Sequence, residues 1–193
     1  MSAPVHAVYY TFREYVAFEA ASNVKHEYLD GRIYAMAGGT PDHAALSLTV
    51  GGLLFPQLRG GRCRAHSSDL RVHVLATGLA TYPDVTIVCG PREVDPEDKN
   101  SVTNPTALVE VLSPSTAEYD GGEKFAHYKR IPSLRQYVMV SQDERRVEVW
   151  TRGPVDEWTN AVSGDGEVAE LESIDARLDV RELYEAAAEG LSS

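Results

Sequence analysis

The sequence lacks an apolar run long enough to cross a membrane, and it has only two cysteines in 193 residues. A spanning helix needs roughly 18 consecutive apolar residues, so we expect no membrane partner. The first residues have neither the basic start nor the apolar stretch of a signal peptide. Cys63 and Cys89 lie in or beside predicted strands, which favours reduced thiols and a cytoplasmic protein. A disulfide between them is the alternative, and we expect the reduced form.

Basic side chains are also scarce, because 18 Lys and Arg face 29 Asp and Glu and give a net charge of −11. This deficit argues against nonspecific binding to nucleic acid, since cationic contacts with phosphates supply that affinity. The deficit is uneven: residues 151–193 carry 11 of the acidic side chains and only three basic ones. Residues 61–150 are nearly balanced and retain enough Arg and Lys for a local positive surface. The charge total therefore lowers the expectation of a nucleic-acid partner without excluding it.

The pattern of apolar residues and turn signals predicts one domain of the α/β class. Thr11 and Glu14 have capping-box spacing, Asp30-Gly31 is a favoured hairpin turn, and Pro41 suits a first helical position. The predicted helices are about 11–21, 41–58, 122–130 and 180–188, and the predicted strands are hairpin arms around Asp30-Gly31, 62–66, 69–75, 84–89, 107–113, 136–140, 146–150 and, weakly, 158–162. We expect a mixed central β-sheet flanked by helices, with a core over about residues 10–150. An acidic C-terminal strand and helix would occupy 151–193.

Two stretches between these elements carry more specific expectations. Leu70, Val72 and Val74 alternate with Arg71 and His73. Such alternation predicts a strand with one buried and one wet face. Residues 91–105 are charged and aperiodic, so we predict a surface loop there.

Two carboxylates stand at positions where a strand would bury them. Asp84 follows Pro83 at the head of an apolar run, and Glu110 interrupts the run Ala107–Leu112. A buried charge is costly unless it is paired. Carboxylates on neighbouring strands, with an ammonium close behind, suit a divalent cation that assists phosphodiester cleavage. The alternatives are an Asp84 that makes a turn hydrogen bond and a Glu110 that faces water from an edge strand.

A third group lies on the helix that follows. Asp120, Lys124 and Tyr128 are spaced at i, i+4 and i+8, which places them on one helix face. Without the carboxylates, the simpler interpretation is a surface ion pair beside a core tyrosine.

Taken together, these residues resemble the Uma2 family of endonucleases, which belongs to the PD-(D/E)XK nuclease superfamily. The resemblance covers roughly residues 10–150 and includes, besides the residues above, Glu27 to Gly38, His43, Ser113 and Gln136-Tyr137-Val138. In the usual superfamily motif a lysine stands two residues after the acid. Leu112 occupies that place here, and the resemblance implies that Lys124 supplies the lysine from the helix. Lys99 and Lys129 are the weaker alternatives.

The resemblance implies a restriction-endonuclease-like fold and a metal-dependent DNA endonuclease. Asp84 and Glu110, with the Val111 carbonyl, would hold Mg²⁺ or Mn²⁺, and Lys124 would orient the attacking water. Glu27 would add a further carboxylate, and Tyr128 and Asp120 would support the site. His43 and Asp69 would line the cleft, although each has a structural alternative.

The family context further suggests a homodimer, because cutting both strands of a duplex takes two sites. Two other interpretations remain open on the residues alone. One is a non-catalytic module on the same fold that binds nucleic acid or protein. The other is a structural dimerisation protein, for which Glu110 would be exposed at a sheet edge.

Overall fold

The structure is a computed structural model, and it describes residues 9–36, 38–114 and 116–188. The helices are α1 Phe12–Ala21, α2 Pro41–Leu58, α3 Ala117–Tyr119, α4 Phe125–Tyr128 and α5 Val180–Ala188, with a π-helical turn Asp120–Lys124 and a 3₁₀ turn Glu172–Ile174. The strands are β1 His26–Leu29, β2 Arg32–Ala35, β3 Cys63–Ser67, β4 Arg71–Val74, β5 Leu79–Thr81, β6 Val85–Cys89, β7 Ser101–Val102, β8 Ala107–Leu112, β9 Gln136–Ser141, β10 Arg146–Arg152, β11 Trp158–Gly164, β12 Val168–Leu171 and β13 Ala176–Asp179.

A six-stranded sheet with the order β11-β10-β9-β8-β6-β3 forms the centre of the molecule. It is mixed, because β8 and β9 are parallel whereas the other pairs are antiparallel. A five-stranded sheet with the order β2-β1-β5-β4-β7 and the pair β12-β13 complete the strands. The predicted fold class, a single α/β domain with a mixed central sheet, is confirmed.

The central sheet is covered on both faces, as the continuous apolar runs predict. On one face α2 and α5 pack with the β12-β13 pair over Val109 and Val111. On the other face β4, β5, β7 and α4 pack over Leu108 and Val88. Every residue from Ala107 to Val111 is buried. Side chains alternate along a strand, so Glu110 shares the second face with Leu108.

Local signals near the start of the chain are confirmed. Thr11 and Glu14 form both hydrogen bonds of the capping box, at 3.2 Å and 2.7 Å. Asp30 and Gly31 have φ angles of 49° and 77°, as a tight hairpin turn requires. Gly31 also lies against Tyr9, where a Cβ atom would come within 2.9 Å of the ring.

The expected wet face of β4 is wrong, because all four of its residues are buried. Arg71 forms an ion pair with Asp98, and His73 Nδ1 lies 2.8 Å from Asp95 Oδ2. Both carboxylates come from the segment predicted as a surface loop, which also contains β7. Buried charge is tolerable only when it is paired, and here the partners lie more than 20 residues away along the chain.

Two further differences concern the secondary-structure elements. The helix predicted from residue 122 begins at Ala117 and includes the π-helical turn before it ends at Tyr128. The short strands β5, β12 and β13 have no clear signal in the sequence. Among the described residues, no helix combines the length and the apolar character needed to cross a bilayer.

The expectation of two reduced thiols is also wrong, because Cys63 and Cys89 form a disulfide. The antiparallel register of β3 and β6 places the two residues directly opposite each other. That register brings their side chains to the same face of the sheet. The cysteines therefore carry no argument for a reducing compartment.

We predict that the double substitution Cys63→Ser, Cys89→Ser lowers the free energy of unfolding by about 2–4 kcal/mol, because the bond closes a loop between residues 26 apart. Urea unfolding of both proteins measures the difference. Dithiothreitol should lower the wild-type midpoint to that of the variant and leave the variant unchanged. A wild-type midpoint that does not respond to the reductant would contradict the disulfide.

Candidate active site

The centre of the candidate site is the ammonium group of Lys124, which lies among three carboxylates. Lys124 Nζ is 2.9 Å from Glu110 Oε1, 3.2 Å from Asp120 Oδ1 and 3.3 Å from Glu27 Oε1. The Lys124 side chain is only 6% exposed. The three carboxylates come from β8, the π-helical turn and β1. The fold thus brings together residues that lie far apart along the chain.

Lys124 points inward because its helical segment is fastened to the sheet on both sides. Tyr128 Oη donates a hydrogen bond of 2.8 Å to Glu110 Oε1. Tyr137 Oη donates one of 3.1 Å to the Asp120 carbonyl oxygen. Between these contacts the backbone makes a π-helical turn, a feature that often marks functional sites. The turn and its two anchors aim the Lys124 side chain at Glu110.

Asp84 is placed by the end of the ladder between β6 and β8. The last paired residues at this end are Val85 and Val109. Beyond this pair, Asp84 Oδ2 takes the place of a backbone acceptor. It accepts a hydrogen bond of 2.8 Å from the Val111 N–H. The carboxylate is therefore held across from the strand that carries Glu110. A local turn hydrogen bond, the alternative drawn from the sequence, is not what fixes it.

His43 approaches Asp84 from the first turn of α2. Its Nε2 lies 3.3 Å from Asp84 Oδ2, and this contact raises the pKa of the imidazole. The Val111 carbonyl oxygen also faces the ring and acts in the same direction. Gly39 leaves space for the imidazole ring in this position, because a Cβ atom at residue 39 would lie 2.6 Å from His43 Nδ1.

Burial and charge act against each other at Glu110 and Lys124. Burial raises the pKa of Glu110, although the Lys124 ammonium opposes the shift. For Lys124 burial alone would lower the pKa, but Glu110, Glu27 and Asp120 together hold it well above its ordinary value. Burial also raises the pKa of Tyr128, which keeps its hydroxyl a donor. Lys124 is therefore a fixed cation and donor in this site.

The carboxylate oxygens that remain suit a hard cation. Within the described residues, protein partners contact only Oε1 of Glu110 and Oδ2 of Asp84. The other oxygen of each and the Val111 carbonyl oxygen are donors of the kind that Mg²⁺ and Mn²⁺ prefer. The structure shows no cluster of three or more His, Cys, Asp or Glu side chains spaced for a metal among the residues it describes. An ion held by so few protein ligands would keep several waters, as Mg²⁺ does.

The remaining residues proposed from the sequence divide into two groups. Glu27 lies in the cluster, where the Thr81 hydroxyl donates to its Oε1. Asp69 lies outside the cluster on the surface, where its carboxylate is 85% exposed and 2.7 Å from Lys25 Nζ. Thr81 had no signal in the sequence, because its strand β5 has three residues. The ring centre of Tyr119 lies 6.0 Å from Lys124 Nζ. The sequence did not indicate this residue, because the predicted helix began only at residue 122.

Glu110 is 5% exposed and lies on β8, which has strands on both sides. The edge-strand interpretation is therefore wrong, and the exposed Glu110 that a structural dimerisation protein would require is not observed. A cavity of about 730 Å³ opens at His43 and Asp84 and gives solvent access to the edge of the site.

The chain matches one family profile and is similar to two curated proteins over most of its length. The Uma2 family profile, described as "Putative restriction endonuclease", matches residues 12–181. In Synechocystis sp., the uncharacterized protein slr1290 is 36% identical over 171 residues that cover 89% of each chain. The uncharacterized protein sll1609 is 30% identical over 162 residues, which cover 84% of this chain and 91% of that protein.

A solved structure shares the fold. It is described as a putative nuclease belonging to DUF820 from Anabaena variabilis ATCC 29413, and it matches with a TM-score of 0.70. The match covers 86% of this chain and 93% of the other, at 19% sequence identity.

We predict that Lys124→Met lowers the free energy of unfolding by about 3–5 kcal/mol, because it leaves buried carboxylates without a counter-charge. Adding Glu110→Gln should restore part of that stability, since it removes one of the charges. Urea unfolding of the two single variants and the double variant measures the coupling. Lys25→Met is the matched control, because its partner Asp69 is exposed and the expected loss of stability is below about 1 kcal/mol. Equal stability of Lys124→Met and wild type would refute the central role of this ammonium.

Proposed function

The chain belongs to the Uma2 family, and on that premise we propose that it is a metal-dependent nuclease that hydrolyses phosphodiester bonds in DNA. The proposal rests on one observation above the others: the buried Lys124 ammonium meets Glu110 and Glu27 beside the Asp84 carboxylate. A phosphodiesterase needs carboxylates for a cation and a donor aimed at the reacting oxygen. The four residues supply both, and the cavity at His43 and Asp84 gives solvent access to this group.

Asp84 and Glu110, with the Val111 carbonyl, would hold Mg²⁺ or Mn²⁺ through the oxygens that face away from their protein partners. When bound, such an ion polarises the scissile phosphate and lowers the pKa of a coordinated water. Tyr128 fixes Glu110 by its hydrogen bond, and the Val111 N–H fixes Asp84. Both carboxylates are therefore held in place before any ligand arrives.

Lys124 would orient the attacking water and offset the charge that develops on the phosphate. Glu27 and Asp120 hold the ammonium in position and keep it protonated. A cation cannot serve as the general base, so the proton of the metal-bound water, whose pKa the ion would lower, would pass to solvent through the opening at His43 and Asp84. His43 contacts Asp84 and thereby limits the rotation of that carboxylate.

The runner-up is a binding module on the same fold that does not cut nucleic acid. One observation favours it: Lys124 already neutralises part of the carboxylate charge within the protein itself, and His43 Nε2 already contacts Asp84 Oδ2. Calorimetry with Mn²⁺ separates the two functions, because the nuclease must take up metal at Asp84 and Glu110. A homodimer, which double-strand cleavage would need, stays a prediction that light scattering can test.

We predict that Asp84→Asn and Glu110→Gln each reduce Mg²⁺-stimulated cleavage of DNA by about a hundredfold or more, because each removes a ligand charge from the ion. Agarose gels of plasmid and labelled oligonucleotide substrates, both DNA and RNA, measure cleavage. Asp143→Asn is the matched control, since this exposed carboxylate lies outside the cluster and lines a separate cavity, and it should cut as wild type does. Full activity in either site variant would rule out the assigned residues, provided that thermal unfolding shows both to be folded.

A further inference from the structure

The cavity that opens at Asp84 continues along α2 as a groove with a volume of about 730 Å³. One stripe of the helix forms its wall. The stripe has the spacing i, i+3, i+4, i+7, i+8 and i+11, and its members are Ala44, Ser47, Leu48, Gly51, Gly52 and Phe55. From Ala44 to Phe55 it extends about 16 Å at the helical rise of about 1.5 Å per residue. We call this cavity the α2 groove.

The wall that α2 contributes to the groove is mostly apolar and is open to solvent. Leu48 and Phe55 are 78% and 62% exposed, although both are large apolar residues. Between them Gly51 and Gly52 leave the helix surface flat, since a Cβ atom at Gly52 would meet nothing within 4 Å. Contiguous exposed apolar surface of this kind marks a binding site more often than a bare solvent face.

The charge of α2 decides which ligand fits. The whole helix Pro41–Leu58 contains no Lys or Arg. A duplex presents its phosphate backbone to a protein, and its affinity depends on cations that neutralise those phosphates. Unpaired bases instead present flat apolar faces, which stack on aromatic and aliphatic side chains. The stripe from Leu48 to Phe55 suits unpaired bases and does not suit a duplex backbone.

A second cavity, of about 510 Å³, adjoins the α2 groove and supplies the missing cations. The two share Asn23, Val24, Lys25 and Tyr82 in their walls. The second cavity also has Arg92 and Lys99 in its wall, both exposed. Within the described ranges neither forms an ion pair, whereas Lys25 is engaged by Asp69 and Ser68. We call this second cavity the basic cavity.

We propose that the α2 groove and the basic cavity form one track for an unpaired nucleic-acid strand that leads away from Asp84. Leu48 and Phe55 contact bases next to the cut, and Arg92 and Lys99 contact the phosphates that follow. The substrate is then single-stranded, or a duplex with a single-stranded segment. This inference rests on the proposed function for the cleavage at Asp84, whereas binding in the track does not depend on it. A second protein copy is a poorer occupant, because it would cover the opening at Asp84 and His43.

The first test is fluorescence anisotropy with labelled oligonucleotides in EDTA, which prevents cleavage. Wild-type protein should bind a single strand at least about tenfold more tightly than the blunt duplex of the same sequence. Phe55→Ala should weaken single-strand binding about tenfold, as expected when a stacking side chain is removed, and leave duplex binding unchanged. Val155→Ala is the control, because Val155 is 83% exposed and lies outside both cavities.

The charge contribution has its own test. Arg92→Gln with Lys99→Gln should weaken single-strand binding and reduce the slope of log K against log salt by about 1.4, or about 0.7 for each phosphate that is no longer neutralised. Arg130→Gln is the matched control, since this exposed arginine lies in a different cavity. An unchanged salt slope in the double variant would remove the basic cavity from the track.

A third variant separates binding from folding. Gly52→Leu should raise the melting temperature, because leucine is the better helix former and the added side chain meets open space. It should also weaken single-strand binding, because it fills the α2 groove. A more stable protein that binds less cannot be explained by unfolding.

Several outcomes overturn the proposal: equal affinity for single strand and duplex, or wild-type affinity in both Phe55→Ala and Gly52→Leu. If Phe55→Ala instead turns a dimer into a monomer with unchanged affinity, the stripe is an interface between copies. Cleavage assays with Mg²⁺ keep the two proposals apart. A wild-type protein that binds single strands in the track but cuts nothing would sink the nuclease proposal alone. One that cuts duplex DNA, with Phe55→Ala cutting equally well, would sink the track alone.

Discussion

The buried ammonium of Lys124 is the interaction on which the arrangement of this molecule depends. Glu110 lies in the middle of the central sheet, where an isolated carboxylate would be very costly. Lys124 offsets that cost by direct contact and also contacts Glu27 and Asp120. Since these groups belong to different layers, one cation joins the five-stranded sheet, the central sheet and the helical segment between them. Structure and proposed chemistry here depend on the same atoms.

The sequence predicts the parts of the fold that depend on neighbouring residues. The capping box at Thr11 and the turn at Asp30-Gly31 are local, and both are present. The burial of Glu110 was also predictable, because the apolar residues on either side indicate a strand that is covered on both faces. In each case the residues that predict the feature lie within a few positions of the feature itself.

Features that depend on distant partners were not predictable in this way. Arg71 and His73 alternate with apolar residues as a wet face would, yet Asp98 and Asp95 arrive from another segment and allow their burial. The Cys63–Cys89 bond depends on the register of β3 and β6, which the sequence does not specify. The place of Glu27 near Lys124 was implied only by the family resemblance, and Thr81 had no signal at all. In physical terms, pairing energies decide these positions, and the pairs are formed only in the folded chain.

The composition of the Lys124 cluster has a kinetic consequence during synthesis of the chain. Glu27 emerges early from the ribosome, Glu110 much later, and Lys124 and Tyr128 later still. Contacts between residues so far apart form slowly, because loop closure must come first. Until the helical segment docks, Glu110 has no counter-charge, and water remains in contact with its carboxylate. A nascent or partly unfolded chain therefore lacks the site, and any activity of this protein would require these long-range contacts to be in place.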